Sequence, residues 1–160
     1  MGREISPLDG RYAEKIGHLG EYFSEFALME ARVQVECAFL LAQEETGLWP
    51  PIPPDRKAAI QDLMEHFDDG DFECIKAIET TTRHDVKSVE LFLREELHLP
   101  DPNRIHFGLT SEDVNNLAFS LMLDAYRMEE QLPTLRRLLR TLRDLAAPLA
   151  DAPMPTRTHG

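Results

Sequence analysis

Apolar residues recur along this chain at gaps of three and four, and no stretch alternates apolar and polar positions over strand length. The pattern predicts an all-α fold. From about Glu21 to Thr46, the residues Phe26, Met29, Val33, Cys37, Leu40 and Leu41 share one helical stripe, and Gly47 supplies a left-handed stop. Trp49-Pro50-Pro51-Ile52-Pro53-Pro54 cannot continue that helix, because ring-locked residues lack the amide donor. Asp55 is expected to cap a second helix carrying Ile60, Leu63, Met64 and Phe67, with Asp68-Asp69-Gly70 ending it. A third, from near Asp71, carries Phe72, Ile75 and Ile78. It breaks in the run Thr80-Thr81-Thr82-Arg83-His84-Asp85, where β-branched residues and a cap-type aspartate compete with helix. Val86, Val89, Leu93 and Leu97 continue as a fourth helix, and Pro100-Asp101-Pro102-Asn103 marks a loop.

The longest periodic segment follows Thr110-Ser111-Glu112-Asp113, where a hydroxyl and a carboxylate three residues apart resemble a capping box. Val114, Leu121, Met128, Leu135, Leu142 and Leu149 form one line, and Ala118, Ala125, Leu132, Leu139 and Ala146 a second, at a period of 3.5. Leu138 and Leu145 widen the stripe, which points to burial among several helices. Pro133 is expected to bend this helix without ending it, because the pattern stays in phase across it. Residues 111–147 would span ~55 Å at 1.5 Å per residue, beyond the ~30 Å of a small domain. The expected organisation is therefore a small helical N-terminal domain over 1–109, with an irregular arm at 1–20 punctuated by Pro7, Asp9-Gly10, Gly17 and Gly20. The start of a long-helix bundle follows over 110–160, cut from a longer chain.

Composition narrows the function classes. The 160 residues carry 17 Lys+Arg against 29 Asp+Glu, a net charge of −12, with 42% hydrophobic residues. That apolar content excludes a disordered chain. The acidic balance argues against a nucleic-acid or membrane-coating protein, since counterion release needs clustered cations. A small anionic ligand needs only a few local ones. Cys37 and Cys74 build neither a disulfide framework nor a zinc site, so a reducing, cytoplasmic setting is expected, with no metal and no cofactor. Met1-Gly2-Arg3-Glu4-Ile5-Ser6 matches the loose myristoylation pattern, but an ordinary start is the simpler reading.

Four polar clusters fall in loops or at helix starts: Asp9-Gly10-Arg11-Tyr12, Thr82-Arg83-His84-Asp85, Gly108-Leu109-Thr110-Ser111-Glu112-Asp113, and Thr156-Arg157-Thr158-His159-Gly160. Each alone has a plain structural explanation, with Asp9-Gly10 as a turn and Asp85 and Thr110 as caps. Together they offer more. Arg11, Arg83 and Arg157 can each grip a phosphate or carboxylate, Thr110 and Ser111 open a helix whose N–H groups favour anions, and histidines such as His84 and His159 belong to the residue type that exchanges protons near neutrality. That is an inventory for a polyanionic substrate and proton transfer.

In this order the clusters resemble the adenylosuccinate lyases of the aspartase/fumarase superfamily. The matching runs are Ser6-Pro7-Leu8-Asp9-Gly10-Arg11-Tyr12, Thr81-Thr82-Arg83-His84-Asp85-Val86-Lys87, Thr110-Ser111-Glu112-Asp113-Val114-Asn115-Asn116 and Arg157-Thr158-His159-Gly160. The first two separate that family from fumarases, aspartases and argininosuccinate lyases. The resemblance implies β-elimination of fumarate from adenylosuccinate, giving AMP, and from the succinyl-carboxamide imidazole ribotide of purine synthesis. It implies His159 as general acid and His84 as a substrate-proximal histidine supporting binding or orientation. Arg11, Tyr12, Arg83, His84, Asp85, Thr110 and Ser111 become substrate-binding residues, Arg11 toward the phosphate. It also implies a homotetramer whose sites draw on three subunits, and a catalytic serine in a downstream loop. The chain, about the first third of a family member, is then expected to be inactive alone.

Two other readings compete. One is a non-enzymatic helical oligomerisation module; the other is a related lyase such as argininosuccinate lyase. His18, His66, His98 and His106 show no metal-ligand spacing, and only His106, just before the third cluster, stands out. Arg136, Arg137, Arg140 and Arg143, interleaved with the leucine stripe, read as a solvated or inter-helix face.

Overall fold

The computed structural model describes residues 6, 8, 10–153 and 155. Every regular element among the described residues is helical, as the periodicity predicted. Two short turns of helix, α1 (Ala13–Ile16) and α2 (Gly20–Phe23), lead into α3 (Glu25–Ala42), α4 (Pro54–Glu65), α5 (Asp69–Thr82), α6 (Asp85–Leu97), α7 (Ser111–Tyr126) and α8 (Leu132–Ala146). Two compact units divide the chain, Met1–Leu123 and Asp124–Gly160.

In the first unit, α3 is the central element and buries two different faces. Met29, Val33, Cys37 and Leu40 join Ile60, Ile75, Val89, Phe92, Leu93 and Leu97 in the main core. On its other side, Ala27, Ala31 and Val35 meet Val86, Val114, Ala118 and Met122. The Ser24 hydroxyl accepts from the Ala27 N–H at 3.1 Å and starts α3. After a final 3₁₀ turn, Gly47 takes the left-handed conformation at φ 69°, the stop expected from sequence.

Local capping departs from expectation at three places. Pro53, not Asp55, precedes α4, and Pro54 opens it, because a missing amide costs nothing in the first turn. Asp68 does not end α4, which stops at Glu65; it caps α5, accepting from Gly70 and Asp71 while the Asp71 carboxylate accepts from the Asp68 N–H. At the break between α5 and α6 the cap is His84, with Asp85 already the first helical residue.

The face that α7 buries also differs from the predicted line. Val114, Ala118 and Met122 are buried at i, i+4 spacing, whereas Leu121 is exposed, because the partners offered by α3 and α6 meet only that narrower edge. In the second unit, a wide π turn over Arg127–Gln131 precedes α8, and Pro133 sits in the first turn of α8. The widened turn makes room for the ring and for the amide it lacks. Leu135, Leu138, Leu139, Leu142 and Leu145 of α8 are exposed, as are Arg136, Arg137, Arg140 and Arg143.

Candidate functional site

The break between α5 and α6 is a two-residue corner. Arg83 takes the left-handed conformation at φ 52°, its N–H donating to the Glu79 carbonyl, and His84 is extended. A non-glycine residue at positive φ is held there by its surroundings. Here the holding is done on both sides. The Thr82 and Ser88 hydroxyls lie 2.7 Å apart, and the Ser88 hydroxyl donates to the His84 carbonyl at 2.7 Å. His84 Nδ1 accepts from the Lys87 N–H at 3.2 Å, so the neutral ring carries its proton on Nε2, which has no partner among the described residues.

A cleft of about 410 Å³ opens at this corner, lined by Glu25, Leu28, Met29 and Arg32 of α3 and by Glu79, Arg83, His84 and Asp85. Its carboxylates are already engaged. Lys76 bridges Glu25 and Glu79, at 2.6 Å to each, and these hydrogen bonds raise the Lys76 ammonium above its ordinary value. Asp85 Oδ2 pairs with Arg32 at 2.6 Å, and Asp85 Oδ1 accepts from the Val86 N–H at 2.8 Å. Burial opposes ionisation of Asp85, but the Val86 N–H, the Arg32 guanidinium and His84 outweigh it and hold the carboxyl below its usual range. Among the described residues Arg83 is the cleft cation with no ion pair. The arrangement can seat an anion on Arg83 and offer it a His84 Nε2–H donor.

The third cluster opens α7 as expected, but the capping box is half made. Asp113 Oδ2 accepts from the Thr110 N–H at 2.7 Å and from its hydroxyl at 2.8 Å, so Thr110 donates to Asp113 and does not cap with its oxygen. These two bonds hold the Asp113 carboxyl below its ordinary value. Ser111, half-buried in the first turn, keeps its hydroxyl free of partners among the described residues. The turn leading in carries positive φ at His106 (60°) and Gly108 (75°).

Arg11 and Tyr12 lie in the arm, exposed, with the Arg11 guanidinium 5.8 Å from the Tyr12 ring centroid and Lys15 6.0 Å from the same ring. They do not line the cleft. His159, with Arg157 and the rest of the fourth cluster, falls outside the described residues, as does Asp9. Among the described residues no group of three or more His, Cys, Asp or Glu side chains is placed to hold a metal ion, and no helix is long and apolar enough to cross a membrane.

Sequence reasoning missed a polar seam along α3. Arg32, Glu36 and Gln43 are buried beside the apolar stripe, and each reaches the segment that carries the third cluster. Arg32 Nε donates to Asn115 Oδ1 at 2.9 Å, Glu36 meets His106, and Gln43 Nε2 donates to the Arg104 carbonyl at 2.9 Å. The available signal was two charged residues four apart, each directly next to a core position, Val33 and Cys37.

A family model described as lyase matches residues 10–160. The chain is 41% identical over 164 residues to adenylosuccinate lyase of Escherichia coli (strain K12) and 40% identical over 164 residues to that of Haemophilus influenzae. It is 38% identical over 167 residues to that of Dictyostelium discoideum. Each alignment covers 98% of this chain and 36% of the relative, so the chain spans about a third of the length of the curated relatives it matches.

Proposed function

Because the chain belongs to the lyase family that matches residues 10–160, we propose that the protein containing it is an adenylosuccinate lyase. It releases fumarate from adenylosuccinate and from the related succinyl-carboxamide ribotide. The observation that carries this reading is the Arg83–His84 corner on its cleft, a free cation and a free imidazole N–H presented together, in a chain with this degree of identity to enzymes of that name.

The chemistry assigns roles residue by residue. A base removes a proton from the carbon next to a carboxylate, the electron pair becomes the new carbon–carbon double bond, and the carbon–nitrogen bond breaks toward nitrogen, which takes a proton from an acid. His159 is that acid, and the base comes from a downstream loop. Arg83 and His84 bind and orient the substrate, with Asp85 holding the corner. Thr110 and Ser111 stand at the N-terminus of α7, where N–H and hydroxyl donors favour the negative charge that builds during proton removal. Arg11 and Tyr12 contribute from the arm, Arg11 to the phosphate. The exposed leucine stripe of α8 suits assembly with further helices in a cytoplasmic homotetramer.

The test is fumarate release by the complete protein, followed by ultraviolet absorbance, with adenylosuccinate and argininosuccinate offered separately. Turnover of adenylosuccinate alone, with a KM raised tenfold or more in Arg83→Ala, is the expected result. Turnover of argininosuccinate alone would assign the protein to that sister activity. No turnover, together with no thermal stabilisation by AMP, would leave a helical assembly module.

A further inference from the structure

Arg32 is only 4% exposed, and its guanidinium reaches two helices at once. One edge pairs with Asp85 at the first turn of α6, and Nε donates to Asn115 in the second turn of α7. Among the described residues the remaining nitrogen, Nη1, meets only the Met29 thioether at 3.5 Å, a weak acceptor. Burying a cation carries a desolvation cost that is offset only where its pairing and hydrogen-bond geometry are good. The geometry here ties the Arg83–His84 corner to the helix that Thr110 and Ser111 open, two clusters more than twenty residues apart in sequence.

We propose that Arg32 is a positioning residue for the reaction: its planar fork sets the distance and orientation between the Arg83–His84 corner and the Thr110–Ser111 helix start. Lysine cannot replace it, because a single ammonium on a flexible stem does not span a carboxylate and a carboxamide in fixed directions. Arg32 and Asp85 both line the cleft, but the guanidinium spends its hydrogen-bonding edges on Asp85 and Asn115, so the effect passes through those two residues. The inference rests on the lyase reading for its catalytic consequence, but the mechanical coupling stands apart from it.

The experiment therefore has two readouts on the complete protein, for Arg32→Lys, Arg32→Met and Asn115→Leu. The first is kcat/KM for adenylosuccinate. Arg32→Lys and Asn115→Leu are each expected to lower it tenfold or more, and the double variant Arg32→Lys/Asn115→Leu to lose little beyond either single one, since both break the same link. The second is amide hydrogen exchange. In Arg32→Lys, exchange is expected to accelerate together at Val86–Ser88 and at Asp113–Val114. Single variants that hold kcat/KM within twofold of the parent, or exchange that rises at one segment only or at neither, overturn the proposal. Should Arg32→Met fail to fold, Asn115→Leu and Arg32→Lys still decide it. A parent protein inactive on adenylosuccinate would sink the lyase reading, while the paired exchange response would still establish or refute the coupling.

Discussion

Glu36 Oε1 and His106 Nδ1 lie 2.5 Å apart, although 70 positions separate them in the chain. Glu36 belongs to the middle of α3, with its side chain 1% exposed, and its second oxygen has no hydrogen-bond partner among the described residues. His106 belongs to the left-handed turn before Thr110. The contact pins the entrance of α7 to the central helix from inside the core, one register below the Arg32 contact.

Burial raises the Glu36 carboxyl above its ordinary value, and nearby Glu90 adds to the rise, against the hydrogen bond and charge of His106. A carboxyl raised on folding stabilises the fold fully below the unfolded value, and that contribution is lost as pH climbs through the folded one. Glu36→Gln is therefore expected to flatten the stability profile in the range just above about pH 4, the ordinary carboxyl value. Urea unfolding across that window checks it, and a profile steeper than the parent's would contradict the buried-charge account.

Asp85 works in the opposite direction. Its carboxyl is held low, by the Val86 N–H and Arg32 against the opposing effect of burial, so its contribution is present at neutral pH and disappears as pH falls through the folded value. Asp85→Asn is expected to lose stability at pH 7 and to show a shallower acid limb below about pH 4. Circular dichroism against pH, parent beside variant, makes the comparison; superimposable acid limbs would count against it.

The two cysteines differ in reactivity for a physical reason. Cys37 is buried in the main core, and desolvation, with neighbouring Glu36, pushes its thiol up to about 12, whereas Cys74 is exposed. The thiolate is the reactive form. One equivalent of a thiol reagent is expected to react with the native chain, at Cys74, and two after denaturation. Rapid native labelling of Cys37 would show that the core opens.

Core and cap substitutions should separate by size. Ile75→Ala or Leu93→Ala, both at 0% exposure, removes packed methyls from the main core and is expected to cost about 3 kcal/mol. Asp68→Ala removes the cap of α5 and is expected to cost about 1 kcal/mol. Equal losses in urea titrations at these positions would mean that the capping box, not the core, dominates α5.

Much of the fold was legible because helical periodicity and chain breakers act locally. The stripe from Met29 to Leu40, the Gly47 stop and the break near Arg83 need only neighbours in sequence. The caps were less legible. Asp55, Asp68 and His84 compete for adjacent positions with similar propensities, and small differences in backbone geometry decided among them. Arg83, His84 and Asp85 stand out as chemistry-bearing by residue type and position alone, and the fold brings those three onto one cleft.

Residue order alone determined the helical class, the polar clusters at the helix junctions and the kinship with lyases, because each is written in spacings of a few residues or in contiguous motifs. Tertiary structure decided which polar residues are buried. Arg32, Glu36 and Gln43 look like ordinary surface positions until α6, α7 and the turn at His106 close over α3. Burying a charge is tolerated only where partners from distant segments meet it, and no local rule can foresee that meeting.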